Sequence, residues 1–219
     1  MIPIDEDTVR EIRERLDDAR AVAAARFRDD FNRHGGVEPN ERWRFHLEIQ
    51  AQALLERARW VSLESGSVVR YRFVDDRTIQ PYVAPIGRPA LAGEIRPERD
   101  FYPAFRIERS PEALLEYWIV VSELSGSPSW NLTRLITNRQ GYGDALAKMR
   151  SPDIVRALVV SWLPSAEWRE DGTALLEVVV YSRSGDERIE KRQLLLDLDQ
   201  EFRFHGRDLI AEGRGGVAV

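Results

Sequence analysis

The sequence predicts an α+β protein: an N-terminal long αα-hairpin, then a β-hairpin, a crossing helix and a C-terminal antiparallel meander forming one curved sheet. Three observations predict it. Apolar, β-branched segments at 155–162, 174–181, 189–198 and 202–210 crowd the last third of the chain, with turn signals at Asp171-Gly172 and Ser184-Gly185, which is the pattern of a meander. The first 64 residues instead repeat their apolar positions at three and four, the period of a helix face. Between these regions, Val68 to Val74 and Thr78 to Val83 flank Asp75-Asp76-Arg77 and read as one hairpin.

In order along the chain, Asp5 is placed to cap a helix carrying Val9, Ile12, Leu16, Ala19, Ala23, Phe27 and Phe31, which His34-Gly35-Gly36 ends. A second helix begins after Pro39-Asn40 and aligns Trp43, Leu47, Ala51, Leu54, Ala58 and Val61. Both stripes are narrow and the opposite faces are densely charged, so the pair should lie on a core and not inside one. Residues 84–109 hold four prolines and the aromatics Phe101, Tyr102 and Phe105, an irregular crossing anchored by rings. Ser110-Pro111 opens a helix through Trp118 that Gly126 closes. Leu132 to Ile136 reads as a short strand, and Asp144 to Arg150 as a short helix stopped by Pro152. The order of elements is similar to that of cone-shaped folds of the nuclear-transport-factor and cystatin type, a likeness of pattern that carries no function.

A two-residue loop at Ser184-Gly185 sets a definite register: Tyr181 faces Arg188, Val179 faces Glu190 and Glu177 faces Arg192. Glu177 is the ionisable residue most enclosed by apolar sequence. That register makes Glu177–Arg192 a structural ion pair, preferred here over a general base with a raised pKa.

Three regions are expected: 1–64 as the helical hairpin, 65–212 as the sheet domain and 213–219 as a tail. At 219 residues and a formal net charge of −5, the chain can bury a core without staples and has no general affinity for nucleic acid. The absence of cysteine excludes disulfides and thiolate chemistry. His34, His46 and His205 form no ligand pair, so neither a metal nor a cofactor is expected. No leader or membrane-length apolar run is present, which points to a cytoplasmic protein without membrane contact. Of the 32 basic residues, all but Lys148 and Lys191 are arginine. The terminal Arg214-Gly215-Gly216 resembles a ubiquitin-type precursor end over those few residues alone, and a glycine-rich frayed end explains it as well.

No catalytic motif stands out, so the leading expectation is a non-catalytic binding or assembly protein that engages another protein or its own copy. Trp130 and Trp168 fall in turn-like stretches and are the candidate contact residues. The alternative is a small-molecule binder or enzyme with a pocket between curved sheet and helices, lined by His46, Tyr71, Phe73, Trp118 and Trp162. A lesser alternative is RNA or single-strand binding through Arg70, Arg72, Arg77 and Tyr71. Gly141-Tyr142-Gly143-Asp144 before a helix is weighed as an anion cradle and set aside, because Asp144 would repel an anion and no Lys-Ser/Thr follows.

Overall fold

A computed structural model describes residues 1–33, 39–74, 78–87, 101–125, 133–155, 161–183 and 186–214. The chain divides into two compact units: residues 1–9, 109–115 and 127–219 form the first, and 10–108 with 116–126 the second. This partition differs from a boundary at 64/65, because the hairpin after the helices clusters with them and not with the meander.

The first unit is built on a curved antiparallel half-barrel sheet of seven strands. These are β1 (Ile2–Pro3), β6 (Thr133–Ile136), β7 (Asp153–Ile154), β8 (Ser165–Trp168), β9 (Ala174–Ser182), β10 (Glu187–Leu196) and β11 (Phe202–Gly213). They run in the order β1-β8-β9-β10-β11-β7, with β6 on the outer side of β9. The meander is therefore β8-β9-β10-β11, turning at Gly172 between β8 and β9. Gly172 takes φ +88°, a conformation that favours glycine. Residues 184 and 185, at the second turn, lie outside the described residues. Helix α4 (Arg139–Lys148) covers one sheet face, with Ala145, Met149, Val179, Tyr181, Ile189 and Ile210 in a common buried cluster.

Three local expectations are corrected. Capped by Asn138, whose Oδ1 accepts from Gly141 N at 2.8 Å, α4 starts at Arg139, five residues before the expected Asp144, so Gly141 and Gly143 sit inside a helix and form no loop. Of the segment 155–162, Val155, Ser161 and Trp162 are not in strands, and 156–160 lie outside the described residues. Conversely, the supposed turn at 165–168 is β8, where Ala166 is buried opposite Leu176. A four-residue strand with one buried side chain leaves too short an alternation to read.

The register of β9 and β10 is also corrected. Ser182 faces Arg188, Tyr181 faces Ile189 and Glu177 faces Gln193, one residue away from the expected pairing. Five residues, 183–187, lie between the last opposed pair, Ser182 and Arg188, and a two-residue loop requires an even number there. One step of slip moves Arg192 to the opposite face from Glu177. Glu177 instead accepts from Gln193 Nε2 at 3.1 Å and meets Lys191 Nζ diagonally at 2.5 Å. Arg192 pairs with Glu190 at 2.6 Å. A double-mutant cycle in urea should give a coupling of about 1 kcal/mol between Glu177→Gln and Lys191→Met, and none between Glu177→Gln and Arg192→Met.

The second unit holds most of α1 (Glu6–Arg33), all of α2 (Pro39–Arg57), and residues 116–124 of α3 (Pro111–Leu124). Asp5 caps α1 by accepting from Thr8 N at 2.9 Å, and Ser110 caps α3 by accepting from Ala113 N at 3.1 Å. Asp18–Arg57 at 3.2 Å and Arg26–Glu56 at 3.0 Å tie α1 antiparallel to α2. Along α1, Ile12, Leu16, Ala19 and Ala23 are buried, whereas on α2 burial begins at Ala51 and Trp43 is exposed. Strands β2 (Val61–Leu63) and β5 (Phe105–Ile107) form one small sheet, and β3 (Ser67–Phe73) and β4 (Ile79–Pro85) another. The predicted hairpin is thus present, as a two-stranded sheet of its own; its turn, 75–77, lies outside the described residues. Phe101 and Phe105 are buried in edge-to-face contact at 5.2 Å, the ring anchors expected of that crossing.

One polar group organises this core. Glu116 of α3 is fully buried, with Oε1 on Arg15 Nη2 at 2.5 Å and Oε2 accepting from the amides of Arg59 at 2.9 Å and Trp60 at 2.8 Å. The guanidiniums of Arg15 and Arg59 each lie 5.1 Å from the Trp60 ring. Buried carboxylates persist when every acceptor site is filled in this way. No helix among the described residues is long and apolar enough to cross a membrane.

Candidate functional site: an arginine-lined cleft

In the first unit, β9 and β10 meet the end of β11 and the segment leading into β7 around an open cleft of about 1120 Å³. Its lining is charged: Arg150, Arg183 and Arg214 against Asp153, Asp186, Glu187 and Glu212, with Ser151 between. Glu187, 3 % exposed, is the floor. Its Oε2 accepts from Arg150 N at 2.8 Å, and its Oε1 accepts from the Tyr181 hydroxyl at 3.3 Å and faces Arg183 Nε at 3.6 Å. Burial, and then the neighbouring Glu187 charge, raise the Tyr181 pKa, so the phenol stays a donor.

The backbone is pressed close to this floor. Arg214 N donates to Arg150 O at 2.9 Å, and Ser151 adopts φ 47°, a left-handed conformation uncommon for a residue with a side chain. At Gly213 a β-carbon would lie 3.1 Å from each of Arg150 O, Glu187 Oε2 and Met149 Cε. Only glycine lets β11 approach the 149–150 turn so closely.

Charges around the rim are unevenly matched. Arg188 joins Asp186 at 3.1 Å and Glu212 at 3.2 Å, and Arg183 is drawn to Glu187. The exposed guanidiniums of Arg150 and Arg214 have no ion pair among the described residues, and the exposed Asp153 has none either. Counted with Arg188, four guanidiniums balance four carboxylates around the cleft, and the two forks without an ion pair are planar donors of the kind that grip an anion in pairs of parallel hydrogen bonds.

Of the residues expected to line a small-molecule pocket, His46, Tyr71, Phe73 and Trp118 belong to the second unit and Trp162 to the first. Tyr71 is 2 % exposed and its hydroxyl donates to Leu124 O at 2.9 Å; burial, with Glu48 and Glu123 nearby, raises its pKa. Trp118 is buried in the second unit, and Phe73 leans on Trp43 at 5.9 Å. His46 packs edge-on to Phe27 at 4.6 Å, and burial lowers its pKa. Its Nδ1 has no hydrogen-bond partner among the described residues. Trp162 belongs to the first unit, against Tyr142 at 4.7 Å. A buried Tyr71 also removes the stacking platform from the RNA reading, while Arg70 is held by Glu48 at 2.5 Å and Arg77 lies outside the described residues.

The two tryptophans expected to meet a partner fare differently. Trp168 is engaged internally, its Nε1 donating to Ser110 O at 3.0 Å and its ring 5.9 Å from the Arg109 guanidinium. Trp130 lies outside the described residues, as do residues 215–219; the tail expected from 213 instead begins after Gly213, the last residue of β11.

Sequence reasoning passed over Arg150, Arg183, Glu187 and Arg214. They come from segments far apart along the chain and carry no common spacing. The one available signal was Gly213, a glycine inside a strand, which marks a close backbone approach. Comparison with known proteins finds no matching family model, curated relative or solved structure.

Proposed function

We propose that this is a non-catalytic binding protein whose cleft takes the acidic side chains of a protein partner. The observation that carries the reading is the pair of unmatched guanidiniums, Arg150 and Arg214, on the rim of a cleft whose buried carboxylate is already saturated. The cleft is open and polar, a form suited to a charged segment and not to an enclosed apolar ligand. Asp153 sets the polarity of the grip, favouring a segment that carries two acidic groups beside a neutral or basic one.

The test is fluorescence anisotropy with a labelled glutamate–glycine peptide and a lysine–glycine control. The acidic peptide should bind, more weakly as salt rises, and the control should not. Arg150→Glu with Arg214→Glu should raise the dissociation constant by about tenfold or more. Equal binding of both peptides, or an unchanged constant in the double variant, removes the proposal.

A further inference from the structure

The geometry points to a single phosphomonoester, the phosphorylated side chain of a protein segment, as the group that Arg150 and Arg214 grip, with both guanidiniums closing on that one group. The inference rests on the acidic-partner reading above and narrows acidic side chains in general to one dianion.

The backbone brings the two arginines together. Arg214 N donates to Arg150 O at 2.9 Å, so the two residues are neighbours where β11 meets the 149–150 turn, and both line the same cleft. Two further contacts keep them there. Arg150 N is held by the buried Glu187 carboxylate at 2.8 Å, and the missing β-carbon at Gly213 lets the strand lie against Arg150 O and Met149 Cε. Neither guanidinium has an ion pair among the described residues, and both residues are exposed. Like charges set side by side on a fixed backbone repel, and a visitor with two negative charges on one centre relieves that repulsion.

The count of oxygens separates the candidate anions. Each guanidinium offers a parallel pair of N–H groups to two oxygens. A carboxylate has two oxygens and one charge, which a single fork satisfies, so the second fork is left without a partner. A phosphomonoester presents three acceptor oxygens and a charge of about −1.5 to −2 at neutral pH. Two forks can therefore share it.

The remaining carboxylate sets what stands beside the phosphate. Strand β7 places Asp153 opposite Glu212, two residues before Arg214, and Arg188 already joins Glu212 and Asp186. Asp153 is left for a basic residue of the segment and repels a second acidic one. The preferred sequence thus carries one phosphorylated residue with a lysine or arginine close to it. Among the described residues no aromatic side chain lines the cleft, so the stacking that holds a nucleobase is missing and a nucleotide is disfavoured.

The experiment is fluorescence anisotropy on the full chain with labelled glycine–serine peptides that contain one lysine and differ at one position, which holds phosphoserine, glutamate or serine. The phosphoserine peptide should bind about tenfold more tightly than the glutamate peptide, and the serine peptide should not bind. Inorganic phosphate should displace the phosphopeptide only at concentrations about tenfold or more above those at which the unlabelled phosphopeptide does so. Arg150→Lys and Arg214→Lys keep the charge and lose the fork. Each should weaken the phosphoserine peptide by about tenfold and the glutamate peptide by about twofold at most, since a carboxylate still finds one intact fork. Circular dichroism checks the fold of the variants, and the comparison of peptides on the wild type needs no variant. Equal affinity for phosphoserine and glutamate, lysine variants that weaken both peptides alike, or free phosphate as effective as the phosphopeptide would overturn the inference and leave the broader acidic-partner reading standing. Loss of all binding, phosphopeptide included, removes both.

Discussion

Glu116→Leu is expected to lower stability by about 5 kcal/mol, read as a fall in the urea midpoint. The substitution removes the acceptor of three donors at once: Nη2 of Arg15, whose Nη1 stays on Glu11 at 2.9 Å, and the amides of Arg59 and Trp60. Each buried donor left without an acceptor costs about 1–3 kcal/mol, more when charged. Glu116→Gln keeps one carbonyl oxygen for the amides and should cost about 2 kcal/mol. Adding Arg15→Met to Glu116→Leu removes the buried charge but not the two stranded amides, so it should restore only part of the loss. Full restoration would mean that the amides find other partners and that the carboxylate serves Arg15 alone.

Glu187→Ala should cost about 3 kcal/mol by the same reasoning, because it leaves Arg150 N and the Tyr181 hydroxyl without acceptors beneath the cleft, where Glu187 is buried. This variant also separates stability from binding. Glu187 positions the turn that carries Arg150 and does not itself face the partner. Below its melting range the variant should therefore still bind the acidic peptide, with a dissociation constant weakened by about threefold to tenfold as Arg150 loses its fixed place. Tyr181→Phe removes one of the two donors and should cost about 1 kcal/mol with little effect on binding. A Glu187→Ala protein as stable as the wild type would show that the floor of the cleft is wetter and looser than its contacts imply.

Much of the architecture is legible in local patterns. Asp5 and Ser110 cap the helices that their sequence context announces, and Ile12, Leu16, Ala19 and Ala23 are buried along the stripe their spacing predicts. Patterns misled where a local rule had two outcomes. Glycines at 141 and 143 suggest a loop, but an asparagine cap before them starts the helix anyway. A stripe can also continue past its helix: α2 ends at Arg57, and Val61 belongs to β2, since periodicity alone does not mark a stop. The candidate site was scarcely legible, because Arg150, Glu187 and Arg214 acquire meaning only when three distant segments converge on one buried carboxylate.

By itself the sequence determined the class of this protein, the order of its elements and the existence of the terminal meander, since apolar period, caps and turn residues act over a few neighbours. Tertiary structure decided the register of β9 on β10, the separate hairpin sheet and the cleft. A register depends on one residue more or less in a turn, and a cleft on which distant backbones approach closely enough to share a buried charge.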